Sequence, residues 1–533
     1  MAVPLSGITL VYSMTFSQPH SVLIQAMLHA DFYNHHVDAC ELIETHISWV
    51  ILTGEYVYKI KKPVNLGFLD FSTLDKRKFF CDEELRLNKR LAPEIYLDVV
   101  KVIESQNNLV LNGDGKVIEY AVKMRQFQQY MQFDHLLSRN ELTREMIEAT
   151  AGLLAEFHQS ISIAERETNY GNPEQVYQPV AENFSQIKER LFEKNTLKLV
   201  STIETWSEKQ FSQLKNIFLQ RKKNNFIREC HGDLHLRNIA WYQNNPLAFD
   251  CLEFNENFRW IDVVSEIAFL IMDLDDHQQN IFARILLNKY LELTGDYSGC
   301  RVLQFYLVYR AMVRAKVDAI RASQEGIDKH EKIEALDECQ SYLELAENYI
   351  QQHSPILIIT RGKSASGKST LTQILLEKLG AVRIRSDVER KRLFNIDNNQ
   401  DTKTDANQGI YTSDSTAQTY AKLLELAGYV IDSGMPVIID ATFAKQEQRI
   451  LFKELADKKK VNFFILEFTA SDDELRKRIK ARVNDISDAD IGILEHQIKN
   501  WLPLDKEEEQ YRLVVDTEKE FNLDALIKNI QTK

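Results

Sequence analysis

The sequence predicts two domains of different fold class: an α+β domain, followed by an α/β domain built on a mainly parallel sheet. Three observations support this division. β-Hairpin patterns occupy the chain before residue 127, helical periodicity dominates 128–352, and apolar runs alternate with helical segments in 356–533. Alternation of the last kind is typical of βαβ units, whose parallel sheet is covered by helices on both faces.

The stretch 35–127 is predicted to form a small lobe of five strands and one helix. Two apolar runs are joined by a Thr-Gly-Glu turn at 53–55, which is typical of a β-hairpin. A helix is expected over about 74–91, and further strands flank the Asn-Gly-Asp-Gly turn at 112–115.

Residues 128–352 are predicted to form a larger helical lobe, because apolar residues recur every three and four positions in segments such as 142–161 and 304–320. The lobe is expected to end before Pro355, since proline disfavours continuation of a helix. Residues 1–34 are left as an N-terminal extension.

The last domain, 356–533, contains the apolar runs that are predicted to be its parallel strands. These runs lie at 356–360, 381–385, 436–440, 463–468 and 512–516. No internal repeat relates this domain to the first, so the two halves are not expected to be copies of one another.

The composition is that of an ordinary globular protein. Lys and Arg number 65 against 78 Asp and Glu, and the formal charge of −13 argues against a nucleic-acid binder that relies on a basic surface. The six cysteines form no CxxC pair, so no disulfide framework or zinc site is expected. Without a leader pattern or an apolar run of about 18 residues, we expect a soluble cytoplasmic protein with no membrane anchor.

A phosphate-binding motif follows the first predicted strand of the last domain. The segment from Gly362 through Ser364 and Gly367 matches G-x-x-x-x-G-K-[ST] and opens a helix that includes Thr370. Its glycines let the backbone wrap around phosphates, and its amides and the helix N-terminus offer donors to them. The alternative, a glycine-rich turn without a ligand, is disfavoured by the strand-to-helix context.

Two side chains of this motif and one beyond it are predicted to hold the nucleotide and its metal. Lys368 supplies a positive charge for the β- and γ-phosphates, and Ser369 is expected to bind Mg²⁺. Asp440 ends a predicted parallel strand, where a carboxylate can hold magnesium through water. The alternative for Asp440 is an ordinary strand-end aspartate.

Asp387 follows the second predicted strand of this domain, at the edge where an acceptor hydroxyl would lie for in-line transfer. It is therefore our candidate base, and its alternative role is to cap the helix that follows, which Ser386 could also do. Arg478 and Arg482 lie four residues apart on one predicted helix face and could clamp phosphoryl oxygens as a lid. The alternative for this arginine pair is a solvated basic face.

Together these residues resemble the small P-loop kinases of the gluconate-kinase, polynucleotide-kinase and zeta-toxin type, and the AAA-like ATP-binding domains grouped with them. The resemblance covers about 356–533. It carries over most directly to Lys368 and Ser369, and less directly to the two aspartates and two arginines. There is no AAA+ arginine-finger or sensor pattern, so a ring motor is not expected.

A second constellation lies in the first domain. His231, Asp233 and Asn238 preserve the H-x-D-x-x-x-x-N spacing of kinase catalytic loops, in which the aspartate accepts a hydroxyl proton and the asparagine holds magnesium. Asp250 ends an apolar run twelve residues later and offers a second hard oxygen ligand to the metal. His231 is interpreted as a structural support of the loop. A chance loop of polar residues is the alternative, which the paired arrangement disfavours.

The phosphate-binding lysine of this domain is expected on a strand of the small lobe. Lys59 occupies that position in Tyr-Val-Tyr-Lys, and Lys61, two residues on, is its rival on the same face. Glu84 on the following helix is the predicted partner, although Glu83 is not excluded. Either pair could also be ordinary solvated surface, so these assignments depend on the rest of the site.

The loop HGDLHLRN, the later FDCLEF and the helix LLAEFHQ together resemble the aminoglycoside phosphotransferase and choline-kinase family, over about 35–350. The order of the two modules resembles long bacterial proteins in which such a kinase-like domain is fused to a P-loop ATP-binding domain. Two departures disfavour a protein kinase: Thr-Gly-Glu replaces the glycine-rich loop, and Asp250 begins Asp-Cys-Leu rather than Asp-Phe-Gly.

The resemblances and motifs imply a bifunctional ATP- and Mg²⁺-dependent phosphotransferase that acts on hydroxyl groups of small molecules, with a nucleotide site in each half. Catalysis would come from positioning and charge neutralisation. One alternative is a regulatory switch in which one half binds ATP without transfer. Another is a C-terminal nucleic-acid end kinase, which the negative charge disfavours. The fold does not identify the acceptor or the oligomeric state.

Overall fold

The computed structural model describes residues 19–67, 69–106, 108–324, 326–351, 354–396, 412–481 and 491–532. These residues form two compact units. The first contains the described chain up to Gln278 together with Phe305–Tyr349, and the second contains Gln279–Gln304 together with the described chain from Ile350. Among these residues, no helix combines the length and the apolar character needed to cross a bilayer.

The small lobe of the first unit is a six-stranded antiparallel sheet with strand order β1-β2-β3-β6-β4-β5. Its elements are α1 (Pro19–Met27), β1 (Glu41–Glu44), β2 (Ser48–Leu52), β3 (Tyr56–Lys61), α2 (Leu74–Asn88), β4 (Tyr96–Ser105), β5 (Asn108–Leu111) and β6 (Lys116–Arg125). The predicted hairpin turn is present at 53–55, where Gly54 has φ +91°. The prediction of five strands was one short, because the four-residue edge strand β1 carries little alternation of its own.

The described part of the predicted N-terminal extension at 1–34 packs against the small lobe. Leu23, Ile24 and Met27 of α1 are buried in one hydrophobic cluster with Ile51 of β2 and Ile60 of β3. The helix therefore covers one face of the sheet and belongs to the small lobe. Residues 1–18 lie outside the described residues.

The larger lobe of the first unit is mainly helical, as predicted. The elements along this part of the chain are α3 (Phe133–Ser138), α4 (Arg144–Ser160), α5 (Pro173–Lys188), α6 (Lys194–Lys223), β7 (Ile227–Glu229), β8 (Ile239–Tyr242), β9 (Asn245–Ala248), β10 (Trp260–Asp262), α7 (Val263–Asp276), α8 (Asn280–Thr294), α9 (Cys300–Ala322) and α10 (Lys329–Ile350). Of these, α8 belongs to the second unit. The hairpin β8–β9 places the loop before β8 beside the loop after β9. Those loops carry the two predicted motifs of this unit.

The second unit is the predicted parallel sheet, with strand order β12-β13-β11-β14-β15. Its elements are β11 (Ile356–Arg361), α11 (Lys368–Leu379), β12 (Val382–Arg385), α12 (Ser386–Leu393), α13 (Ser413–Asp432), β13 (Val437–Asp440), α14 (Gln446–Lys459), β14 (Asn462–Thr469), α15 (Asp472–Lys480), α16 (Ile491–Asn500), β15 (Arg512–Asp516) and α17 (Leu523–Thr532). All five predicted strands are confirmed to within one residue at each end.

The helix α8 lies against the edge strand of this sheet. Asn288 donates its side-chain amide to the carbonyl of Ala381 at 3.0 Å and accepts the amide of Arg383 at 2.8 Å. These bonds satisfy backbone groups at an edge that would otherwise be open to pairing. By its packing, the segment 279–304 groups with the second unit, whereas the prediction placed it in the helical lobe 128–352. A boundary placed at Pro355 by local sequence cannot reveal a helix that pairs with a strand about ninety residues later.

Candidate functional site

The lysine and glutamate of the small lobe meet in a buried network. Lys59 Nζ lies 2.8 Å from Glu84 Oε1 and 2.6 Å from Asp250 Oδ1. Lys61 Nζ lies 2.7 Å from Glu84 Oε2 and also contacts Glu253. Both lysines thus pair with the same carboxylate, and β3 presents them together because residues two apart share a face of a strand. Glu84 is the partner that the helix α2 provides.

The other predicted partner, Glu83, is not part of this network. Its carboxylate pairs with Arg86 one turn later at 2.8 Å and lies 3.6 Å from Arg259. A helix turns about 100° per residue, so two neighbouring glutamates cannot face the same strand. Only Glu84 therefore reaches the strand lysines.

Burial and charge oppose each other in this network. Burial alone would raise the pKa of Glu84, but the ammonium groups of Lys59 and Lys61 outweigh it and lower that pKa to about 2. Burial raises the pKa of Glu253, against the lowering effect of Lys61. The site therefore keeps both lysines charged next to an ionised Glu84, the arrangement that a phosphate-binding lysine requires.

Asp233 and Asn238 lie in the loop before β8. The Asn238 side-chain amide donates to the Asp233 carbonyl at 2.9 Å, and His235 Nε2 lies 3.4 Å from Asp233 Oδ2. Burial acts to raise the pKa of Asp233, yet the neighbouring His235 and His231 hold it down, at about 2. Asp233 is therefore a carboxylate at neutral pH, as a hydrogen-bond acceptor for a hydroxyl must be.

His231 ties this loop to the segment that carries Asp250. Its Nε2 lies 2.8 Å from the carbonyl oxygen of Phe249, the residue before Asp250. Asp250 itself has φ +65°, and its amide donates to the Tyr96 hydroxyl at 3.1 Å. The geometry agrees with the interpretation of His231 as a support, since it joins two loops rather than facing a cavity.

Two site residues were missed by sequence reasoning. Glu253 lies three residues after Asp250 and joins the lysine network. Glu266 of α7 accepts the backbone amides of His231 at 3.1 Å and Gly232 at 2.7 Å. No motif spacing marks Glu266, which is followed in α7 by the apolar run 267–272. A buried carboxylate within an apolar run was the signal that could have identified it.

Glu266 also pairs with His158 of α4, whose Nε2 lies 2.9 Å from Glu266 Oε1. Burial acts to raise the pKa of Glu266, but the hydrogen bond and charge of His158 lower it, and the pKa falls to about 2. This ionised carboxylate fixes the start of the loop that carries Asp233. Glu266 is therefore a positioning residue.

The phosphate loop of the second unit has the predicted form. It runs from β11 to α11, with Gly367 at φ +86° directly before the helix. A Cβ on Gly362 would lie 2.6 Å from Ser366 Oγ and 2.9 Å from the carbonyl of Phe468, so no side chain fits there. Lys368 Nζ donates to the carbonyls of Gly362 and Lys363, each at 2.9 Å.

A cavity of about 610 Å³ opens beside this loop, within the range of small-molecule sites. The predicted residues that line it are Ser364, Gly367, Lys368, Ser369, Thr370, Asp387, Asp440 and Arg478. Asp440 is the last residue of β13, next to the loop-bearing β11, and accepts the Thr372 hydroxyl at 3.3 Å. The parallel sheet thus brings the motif and both strand-end carboxylates to one cavity.

Asp387 is the second residue of α12 and does not cap it. The N-cap of this helix is Arg385, and no side chain of the cap accepts a hydrogen bond. The capping alternative for Ser386 and Asp387 is therefore wrong, and a carboxylate that faces the cavity remains. The helix begins one residue earlier than a Ser386 cap would require and two residues earlier than an Asp387 cap would, because strand β12 leads directly into it.

Of the two predicted arginines, the structure describes Arg478. Arg478 Nη1 donates to Thr517 Oγ1 at 2.8 Å, and its Nη2 donates to the Thr517 carbonyl at 3.0 Å. Its Nε lies 2.9 Å from Glu474. Arg478 is thus anchored at the cavity rather than on a freely solvated face. Arg482 lies outside the described residues.

Comparison with known proteins agrees with both halves of this architecture. Residues 77–303 match the model of the Phosphotransferase enzyme family, and residues 357–503 match that of the AAA domain. The chain therefore carries a kinase-like phosphotransferase domain of the aminoglycoside phosphotransferase type, followed by a P-loop kinase-like domain. The predicted fold classes and their order are confirmed.

Uncharacterized proteins of Mycobacterium tuberculosis and Mycobacterium bovis are each 29% identical over 448 residues, which cover 84% of this chain and 87% of the relative. The similarity therefore extends across both domains.

Solved structures are similar to parts of the chain. Amicoumacin kinase hAmiN has a TM-score of 0.38 at 13% identity and covers 62% of this chain and 94% of its own. Choline kinase from Cryptosporidium parvum has a TM-score of 0.39 at 12% identity, with 62% and 96% covered. A gluconokinase from Sinorhizobium meliloti has a TM-score of 0.24 at 20% identity, with 34% and 91% covered. Scores at this level support no conclusion about substrates.

Proposed function

We propose that this protein is a bifunctional phosphotransferase that uses ATP and Mg²⁺ to phosphorylate hydroxyl groups of small molecules, with one nucleotide site in each unit. The observation that carries the proposal is the meeting of Lys59, Glu84 and Asp250 next to the loop of Asp233 and Asn238. These residues come from β3, α2 and two separate loops, so their convergence is a property of the fold and not of a short motif.

The residues of the first unit fit a bound magnesium ion. The Asn238 amide nitrogen is engaged with the Asp233 carbonyl, which leaves its amide oxygen for a cation, and Asp250 offers a carboxylate. Such hard oxygen ligands suit Mg²⁺, which neutralises phosphate charge when it is bound. Asn238 and Asp250 would hold the ion in the first unit, and Ser369 and Asp440 in the second.

Lys59 would bind the nucleotide phosphates while Glu84 fixes its side chain. Asp233 would accept a hydrogen bond from the acceptor hydroxyl and take its proton as the hydroxyl oxygen bonds to the γ-phosphorus and the bond to ADP breaks. In the second unit Lys368 and Arg478 would neutralise phosphoryl oxygens, and Asp387 would orient the acceptor. Little covalent chemistry is required of the protein, so positioning accounts for most of the rate.

Replacement of Asp233 tests the role assigned to it. Asp233→Asn should lower acceptor-dependent ADP release by the first unit by roughly 10²–10⁴-fold and leave ATP affinity nearly unchanged, because a base acts on the acceptor and not on the nucleotide. The measurement is made in a Lys368→Ala background, which silences the second site. Exposed Asp98→Asn is the control. A collapse of ATP affinity in Asp233→Asn would make Asp233 a metal or structural residue instead.

A further inference from the structure

A lysine of the first unit is buried beside the candidate base without a partner. Lys316 of α9 is only 6% exposed. Burial lowers its pKa to about 8, partly offset by the charge of Glu182. Within the described part of the chain, Lys316 forms no hydrogen bond or ion pair. Buried ammonium groups are normally paired, because an unpaired one forfeits its hydration.

Lys316 lines a cavity that adjoins Asp233. The same cavity is walled by Arg310 and by aromatic side chains that include Trp260 and Tyr309. Its free volume is about 60 Å³, space for roughly four to six water molecules at about 10–15 Å³ each. The cavity therefore suits a compact molecule whose hydroxyl could reach Asp233.

Other charged groups of the cavity already have partners. Arg310 donates to the carbonyls of Ser265 at 3.1 Å and Gly232 at 3.3 Å. Asp262 forms a buried pair with Arg221, whose Nη2 lies 2.8 Å from its Oδ1.

The two remaining carboxylates do not neutralise Lys316 by contact. Asp233 is engaged by His235 and by Asn238. Glu182 is exposed and accepts the Gln178 amide at 3.0 Å. The ammonium of Lys316 is thus the one charged group of the cavity lining, within the described residues, that lacks a contacting partner.

The aromatic walls alone would favour a cationic ligand, because a ring face attracts positive charge. A cation in this cavity would, however, share a low-dielectric space with both Lys316 and Arg310. The three carboxylates of the lining already have partners, so an anionic ligand would supply the contact that Lys316 lacks.

We propose that the acceptor of the first unit is a small hydroxylated anion, whose carboxylate or phosphate group pairs with Lys316 while its hydroxyl faces Asp233. The inference rests on the proposed phosphotransfer function. Lys316 acts here as a specificity residue: it selects the charge of the acceptor and does not touch the reacting hydroxyl.

Binding of four small probes to the full-length protein tests this. The probes are glycerate, glycerol phosphate, glycerol and choline, titrated calorimetrically with a non-hydrolysable ATP analogue and Mg²⁺ saturating the nucleotide sites. Glycerate and glycerol phosphate should bind more tightly than glycerol, and choline more weakly. The first two distinguish a carboxylate from a phosphate as the recognised group.

Lys316→Met should weaken the anion that binds by roughly 10- to 100-fold and leave glycerol unchanged, because a charge-assisted hydrogen bond is lost. Lys332→Met, at an exposed lysine of the same unit, is the matched control. Loss of a buried unpaired charge should not unfold the protein, and thermal unfolding of Lys316→Met checks this.

Failure of the inference differs from failure of the proposed function. If neither anion binds more tightly than glycerol, or if Lys316→Met leaves their affinity unchanged, the inference is wrong even when ATP-dependent transfer to another acceptor occurs. If the anions bind through Lys316 but ATP is not turned over with them, the anion site stands and the transfer reaction is wrong for these acceptors.

Discussion

The two candidate sites differ in the parts of the chain that form them. In the first unit, Lys59, Lys61 and Glu84 come from a strand and a helix and form a buried network of opposite charges. In the second unit, a single loop folds around Gly362, and Lys368 is held by the carbonyls of that same loop. The first site therefore depends on charge balance among distant elements, whereas the second depends on local backbone geometry.

The largest change in activity in the second unit is expected at Asp387, where a substitution can affect catalysis without changing the backbone. Asp387→Asn should lower acceptor-stimulated ADP release by the second unit by roughly 10²–10⁴-fold and leave ATP binding intact. The free energy of unfolding should change by less than about 0.5 kcal/mol, because Asp387 does not cap its helix.

Asp414→Asn, in the first turn of another helix of the same unit, is the matched control for Asp387→Asn. Both ADP release and chemical unfolding are measured on the full-length protein. Full acceptor-stimulated turnover in Asp387→Asn would refute the base assignment and favour the switch.

Charge balance in the first unit is broken most simply at Lys61. Lys61→Met removes the cation that contacts both Glu84 and Glu253 and should destabilise the first unit by about 3–5 kcal/mol. Lys62→Met is the matched control, since Lys62 pairs with the partly exposed Glu44 at 2.5 Å and should change stability by about 0–1 kcal/mol. Denaturant unfolding of the full-length protein measures both. Equal effects would contradict the account of a buried network.

Backbone geometry in the second unit is tested with a pair of glycines. Gly362→Ala places a Cβ 2.6 Å from Ser366 Oγ and 2.9 Å from a carbonyl, which should destabilise this unit by about 1–3 kcal/mol. Gly428→Ala meets nothing within 4 Å and should instead stabilise helix α13 by about 0.5–1 kcal/mol. Thermal unfolding compares the two. A neutral Gly362→Ala would show that the loop has more room than the structure gives it.

This contrast explains how much the sequence could predict. The position and form of the phosphate loop could be predicted in full, because its motif occupies eight consecutive residues between a strand and a helix. Sequence spacing could also predict that three side chains belong to one site, because two short loops carry them: Asp233, Asn238 and Asp250. Periodicity also predicted the parallel sheet, since each buried strand is a continuous apolar run.

Long-range pairing could not be predicted in the same way. Local spacing could not decide whether Lys59 or Lys61 pairs with the helix glutamate. In the structure both lysines pair with Glu84. Glu266 acts through backbone amides of a loop that lies 34 and 35 residues earlier. The helix α8 pairs with an edge strand that follows it by about ninety residues. A short window of sequence does not reveal the partners in any of these contacts, although an acidic residue within an apolar run does single out Glu266.

The most direct test of the account is the number of nucleotide sites. Calorimetric titration of the full-length protein with a non-hydrolysable ATP analogue and Mg²⁺ should give two sites. Asp250→Asn keeps an oxygen for Lys59 but weakens the metal site, and Lys368→Ala removes the phosphate-loop charge, so each variant should retain one site. Lys458→Ala, at an exposed lysine, should retain two. A single site in the unaltered protein, or loss of the same site in both variants, would contradict the account.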